Sequence, residues 1–204
     1  MNNDCYNIIF IGRSGCGKGT QAQLLQKKLE EKYGAGSVFY IYTGEHLREL
    51  TKHPELLTGC LVDVDVMKAG AKAPDFLAIW CWAKEFIHGM RKDNHVILDG
   101  SPRTKFEAAT IDEALMFYKR QPAFVIWLDV SSKWAYDHML GRGRTDDTPD
   151  KIQNRLSYYE TYVTGAVEYY QQESKSKLLK INGEQTIEKV HEDIVKEVGL
   201  ENDN

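Results

Sequence analysis

Residues 7–20 read Asn7-Ile8-Ile9-Phe10-Ile11-Gly12-Arg13-Ser14-Gly15-Cys16-Gly17-Lys18-Gly19-Thr20, and this stretch decides the fold. An apolar run of strand length leads straight into G-x-x-x-x-G-K, and a helical periodicity begins directly after it. The composition has a chemical cause. A chain of phosphates needs several backbone N–H donors converging from a tight loop, and side chains would block that approach. A helix opening at the loop adds its free N-terminal amides and the positive end of its dipole. Lys18 is a mobile point charge able to reach the outer phosphates. From average residue usage, this arrangement of glycines, lysine and threonine arises by chance on the order of 10⁻⁷ per position. After Lys18, where a Ser or Thr commonly holds Mg²⁺, stands Gly19, with Thr20 following. A metal is therefore expected to rely on waters and a distant carboxylate, for which Asp99 at a strand end is the candidate.

Outward from the loop, short β-rich runs alternate with helical periods. Asn7–Ile11, Val38–Tyr42, His95–Asp99, Ala123–Asp129 and Lys177–Asn182 each have the length of a buried strand. Ala22, Leu25, Leu29 and Tyr33 share one helix face, and Phe76, Ile79, Trp80, Ala83 and Ile87 share another. Ile152, Leu156, Tyr159, Val163, Val167 and Tyr170 continue the pattern, and Ile187, Val190, Ile194 and Val198 close it. The alternation predicts an α/β fold, a parallel sheet of about five strands with helices on both faces. Two stretches break it, about residues 44–73 and the polar run Gly141–Asp147, and both read as insertions above the sheet.

The chain has 204 residues, 42 % hydrophobic and 27 % charged, with a net charge of −4. That suits one globular domain and argues against a nucleic-acid binder relying on bulk positive charge. No apolar run approaches the ~18 residues of a membrane span. The start Met1-Asn2-Asn3-Asp4 lacks the basic and apolar regions of a signal peptide. Cys5, Cys16, Cys60 and Cys81 are scattered without zinc or disulfide spacing. A reduced, cytoplasmic monomer without membrane or nucleic-acid partners is expected.

Four blocks occur in one order: Gly17-Lys18-Gly19-Thr20-Gln21, Thr43-Gly44-Glu45-His46-Leu47-Arg48, Asp99-Gly100-Ser101-Pro102-Arg103-Thr104, and Gly141-Arg142-Gly143-Arg144-Thr145-Asp146-Asp147, with Arg155 beyond. In this the sequence resembles the adenylate kinase family of nucleoside monophosphate kinases. The resemblance implies a P-loop NTPase-type core at about 1–43, 74–140 and 148–204. It also implies a monophosphate-binding insertion at about 44–73, a short lid at about 141–147, and Mg²⁺-dependent transfer from ATP to AMP, without structural zinc.

Independently of the family, two charged nucleotides can only meet where several cations gather and water is excluded. Lys18, Arg48, Arg103, Arg142, Arg144 and Arg155 supply those cations within a net-acidic chain, and arginine grips phosphate bidentately. By the resemblance, Gly15, Cys16, Gly17, Lys18, Gly19 and Thr20 hold the donor phosphates, while Arg48 and Arg103 hold the acceptor phosphate. Arg142 resembles the lid arginine on the donor. Arg144 and Arg155 resemble the pair gripping the group in flight, oriented by Asp146 and Asp147. Thr43 and the backbone of Ala71, Lys72 and Ala73 resemble the acceptor-base pocket, alongside Gly100, Ser101 and Pro102; the Ser101–Pro102 bond matches one that is cis in the family. The backbone near Gln185 resembles the rim of the donor-base site.

Three departures stand out, besides Glu107. Arg13-Ser14 replaces a common proline, adding a cation near the phosphates. The lid is minimal, with only Gly143 between Arg142 and Arg144. His138 stands where an arginine usually stacks on the donor adenine. Glu107 occupies the adenine-reading position that usually carries glutamine. An ionised carboxylate accepts side by side from guanine N1–H and N2–H₂, so GMP or another monophosphate is the alternative acceptor. A GTP-dependent switch lacks support, since neither Asn-Lys-x-Asp nor D-x-x-G occurs. A sugar-type kinase would lack the second and fourth blocks. A non-catalytic relative fits poorly with Lys18, Arg103, Arg144 and Arg155 all present.

Overall fold

The computed structural model describes residues 5–143 and 147–201. Each apolar run forms a strand: β1 (Asn7–Gly12), β2 (Val38–Tyr42), β3 (His95–Asp99), β4 (Phe124–Asp129) and β5 (Lys177–Asn182). They pair in parallel in the order β2-β3-β1-β4-β5. β1 is central, with Ile8 beside both Ile97 and Phe124. Ala123 lies just before β4, its carbonyl accepting the Lys177 N–H at 2.8 Å.

The strand period of two sends Ile8 and Phe10 to one face and Ile9 and Ile11 to the other, and both faces are covered. Against the first pack Leu25 and Leu29 of α1 (Lys18–Tyr33), Met139 of α6 (Ser132–Gly141) and Ile194 of α9 (Ile187–Glu197). Against the second pack Trp82 of α4 (Asp75–Gly89), Ile111 of α5 (Lys105–Phe117) and Val167 of α8 (Thr164–Gln172). Side chains this enclosed each contribute about 1.5–3 kcal/mol relative to exposure.

Helix α4 buries a different face from the one its spacing suggested. Leu77, Ala78, Cys81, Trp82 and Phe86 are inside, while Phe76 is 73 %, Trp80 47 % and Ile87 71 % exposed. The helix is apolar nearly all round, so periodicity admits two solutions. The enclosed one carries Trp82 and Phe86, whose rings meet edge-on at 5.3 Å. Tyr33 and Ile187, at helix ends, are also exposed, unlike the rest of their stripes. The long stripe 152–170 is buried throughout, carried by α7 (Pro149–Tyr158), a π-helical turn (Tyr159–Val163) and α8.

Between β2 and α4 the chain forms α2 (Thr43–Leu50), α3 (Leu57–Leu61) and a π-helical stretch (Val62–Lys68). Leu47, Val62, Val66 and Ala73 make a separate small core with Leu77 and Cys81 of α4. The end of this segment reaches α7, where Asn154 Nδ2 donates to Ala69 O at 3.0 Å. The Ser101–Pro102 peptide is cis, as the resemblance implied, and so is Gln121–Pro122, which no sequence signal marked. Among the described residues no helix is long and apolar enough to cross a membrane.

Candidate functional site

The chain turns from β1 to α1 at the point in the sheet where the strand order reverses, so the glycine-rich loop emerges where open α/β sheets place ligands. Two glycines set its path. At Gly12 (φ +149°) a β-carbon would lie 2.6 Å from Leu128 O; at Gly15 (φ +84°) one would lie 2.8 Å from Ala135 O. At these two positions the loop is pressed against β4 and α6 with no space for a side chain. No side chain caps α1, so its first amides keep their donors for an anion. Lys18 Nζ donates to Gly12 O at 2.9 Å and Arg13 O at 2.7 Å, and lies 3.5 Å from Cys16 Sγ.

Arg13 does not join the phosphate-facing cations. Its Nε donates to Val130 O at 2.9 Å, Nη2 pairs with Glu160 at 2.6 Å, and the guanidinium lies 4.0 Å over the Tyr159 ring. It tethers the loop to β4 and to the π-helical turn.

Asp99, at the end of β3, is buried and accepts from Tyr40 Oη at 3.1 Å, with Oδ2 next to Gly19. Burial pushes its carboxyl above the usual range, against the pull of Lys18 and Tyr40. One buried carboxylate beside a loop of amides fits a hard cation that keeps its waters and rests on phosphate oxygens. Among the described residues no three His, Cys, Asp or Glu gather as a metal cluster.

Just past β3 stands Arg103. Its Nε donates to Gly100 O at 3.0 Å and its Nη1 to Tyr158 Oη at 2.8 Å. Arg48 of α2 lies 5.1 Å over the Tyr42 ring, which in turn lies against Gly100. A narrow recess joins the two halves, lined among others by Gly12, Ser14, Lys18, Gly100, Arg103 and Tyr158. A wider hollow between α6 and α7, lined by Ser132, Tyr136, Gln153 and Ser157, holds none of these side chains.

Behind Arg103, Thr43 and Ser101 share a hydrogen bond at 2.9 Å, and Glu107 is 1 % exposed. Glu107 Oε2 accepts the Arg103 N–H at 2.6 Å, while Oε1 has no hydrogen-bond partner among the described residues. Burial raises its carboxyl above the usual range, against the Ser101 hydroxyl and the Arg103 N–H. Thr104 caps α5 by accepting from the Glu107 N–H at 3.1 Å, so Thr104-Lys105-Phe106-Glu107 forms most of a capping box. That T-x-x-E signature is legible in the sequence. Lys105 pairs with Glu173 and leaves Glu107 alone. Ala73 is buried nearby in the small core, whereas Lys72 Nζ turns to Asp75 at 2.7 Å; Ala71 N–H closes the π-helical stretch onto Val66 O at 3.0 Å.

On the other side Asp147, its carboxylate 1 % exposed, accepts from Arg142 Nη2 at 3.0 Å and from Arg155 Nη1. The structure thus brings Arg142, Asp147 and Arg155 together. Arg144 and Asp146, expected beside them, lie outside the described residues, as does part of the expected lid. His138 is exposed on α6, with its ring stacked 3.5 Å from that of Trp134. Gln185 Nε2 donates to Asn182 O and Asp193 Oδ2, both at 2.9 Å. Its loop is tied to the start of α6 by Ser131 N–H donating to Glu184 at 2.6 Å. Thr20, at the start of α1, is exposed.

The sequence reading missed Tyr158. It lies three residues after Arg155, hence on the same helix face, which was the available signal.

Comparison with known proteins agrees with this geometry. The family model for Adenylate kinase matches residues 10–175. The chain is 35 % identical over 198 residues to the adenylate kinase of Azobacteroides pseudotrichonymphae genomovar. CFP2, covering 94 % of this chain and 96 % of that one. It is 32 % identical over 192 residues to adenylate kinase 1 of Nostoc sp. (strain PCC 7120), covering 94 % and 98 %. To the adenylate kinase of Leptospira biflexa serovar Patoc it is 31 % identical over 198 residues, covering 94 % and 98 %. With the loop, the recess and the sheet order all in place, the chain belongs to the adenylate kinase family and is a nucleoside monophosphate kinase.

Proposed function

We propose that the enzyme transfers the γ-phosphoryl group of ATP, with Mg²⁺, to AMP, yielding two ADP. The observation that carries this reading is the recess in which donor-loop Lys18 and acceptor-side Arg103 face one cavity. The acceptor phosphate is already an anionic nucleophile, so no covalent intermediate and no general base is required. Catalysis is alignment plus charge neutralisation.

In this reading residues 12–20 cradle the donor phosphates, and Lys18 leaves the loop carbonyls for the outer phosphates. Arg103 and Arg48 grip the acceptor phosphate. Arg142 serves the donor phosphates, and Arg144 and Arg155 grip the group in flight, with Asp146 and Asp147 orienting the arginines. Residues 44–73 and 141–147 act as the acceptor-binding and lid segments that close over the pair. Asp99 would hold Mg²⁺ through water, and the metal would supply charge neutralisation to the donor phosphates.

Acceptor choice turns on the protonation of Glu107. As an anion it suits guanine. As a neutral acid it carries one donor and one acceptor, the same pair as the glutamine it replaces, and so matches adenine N1 and N6–H. Its burial, its unpartnered Oε1 and its raised carboxyl support the neutral form, and hence AMP. The test is a coupled assay with ATP against AMP, GMP, CMP and UMP. AMP is expected to exceed the others in kcat/KM by at least about tenfold; GMP as the better acceptor would overturn the assignment.

A further inference from the structure

We propose that Tyr158 is a positioning residue for phosphoryl transfer, a strut whose hydroxyl holds acceptor-side Arg103 in register with Ser14 of the donor loop. This rests on the phosphoryl-transfer reading above. The Tyr158 oxygen lies 2.8 Å from Arg103 Nη1, which donates to it, and 3.0 Å from Ser14 Oγ. The residue is 9 % exposed, and its ring lies 5.6 Å from the Arg103 guanidinium.

The geometry constrains both halves of the site. Arg103 is held at two points, Nε on Gly100 O and Nη1 on Tyr158. Two fixed donors set the plane of a rigid guanidinium, and its other N–H groups remain for a phosphate. Ser14 belongs to the loop that would cradle the donor, so one phenol oxygen ties the two phosphate-gripping elements across the gap the phosphoryl group must cross. In-line transfer tolerates little error in that gap, and a displacement of about 1 Å can cost a hundredfold in rate.

Tyr158 belongs to the core on the second face of the sheet, yet it lies off the apolar stripe of Ile152, Leu156, Tyr159 and Val163, and it also lines the recess with Lys18 and Gly100. Burial alone would push the phenol's pKa up. Arg103, the Ser14 hydrogen bond, Lys18 and Arg155 outweigh it and bring the phenol below its ordinary value. The oxygen therefore sits in a cluster of cations, where a hydroxyl is tolerated without opposing a phosphate's charge.

Tyr158→Phe keeps the ring and deletes the oxygen. With ATP and AMP, kcat is expected to fall roughly tenfold to a hundredfold while both KM values stay within about threefold, because alignment is lost and binding is kept. Ser14→Ala cuts the same strut from the other end and should lower kcat in the same way. The double variant should be no slower than the slower single one. A kcat in both single variants within about twofold of wild type, or single losses that multiply in the double variant, would overturn the proposal. A wild type with no ATP–AMP turnover would instead overturn the functional reading on which it rests.

Discussion

Glu107→Gln exchanges a buried carboxyl for an amide of nearly the same shape, and pH decides what the exchange does. Folding moves the carboxyl from water to a site 1 % exposed, and desolvation raises its pKa there. The folded state therefore holds the proton more tightly than the unfolded one. Stability is unaffected below the ordinary carboxylate range and falls as pH rises through the raised value. The glutamine variant escapes that loss. Its melting temperature should exceed wild type at neutral and alkaline pH and equal it below about pH 4. Selectivity should follow the same titration. Once ionised, Glu107 turns an oxygen toward the adenine N1 lone pair, and a buried polar mismatch of this kind costs about 1–3 kcal/mol. The wild-type ratio of kcat/KM for AMP over GMP should then drop by roughly tenfold to a hundredfold from acid to alkaline pH. In Glu107→Gln it should stay flat. Coupled assays across pH, run beside thermal melts, read both quantities. A wild-type ratio that ignores pH, or a variant tracing the same curve, would refute the role given to Glu107.

Lys18→Met should cut kcat by several orders of magnitude with the fold intact by circular dichroism, since charge developing in flight goes uncompensated; near-normal turnover would remove the basis of the mechanism. Asp147→Asn leaves Arg142 and Arg155 around an amide in place of a carboxylate that is 1 % exposed. Breaking a fully buried pair costs about 3–5 kcal/mol, and because Arg142 is partly exposed we expect about 2–3, a fall of roughly 5–10 °C in melting temperature together with reduced kcat. The short lid should leave the donor base loosely held, so GTP should serve as a donor and some ATP should hydrolyse without acceptor; a strict ATP requirement with no background hydrolysis would contradict this.

The sequence by itself determined whatever is encoded within a few residues. The five strands follow from short apolar runs between turn residues, and the loop follows from a backbone that must approach phosphate closely. Their parallel arrangement follows from the helix between each pair of strands. Of the expected cations, Lys18 and Arg103 line the recess, because each is placed by its distance from a strand end. Only the tertiary structure decided matters that depend on partners far along the chain. Which side of α4 faces inward was undetermined because that helix is apolar on nearly every side, so volume and shape against the sheet chose Trp82 over Trp80. Arg13 sits in the loop yet is drawn away to Val130 and Glu160. Tyr158 meets Ser14 across 144 positions of sequence, and no local pattern reports such a contact. Glu107 carries a residue type suited to guanine, but its charge state is set by the burial that folding imposes, so the sequence named the group while the fold selected its chemistry.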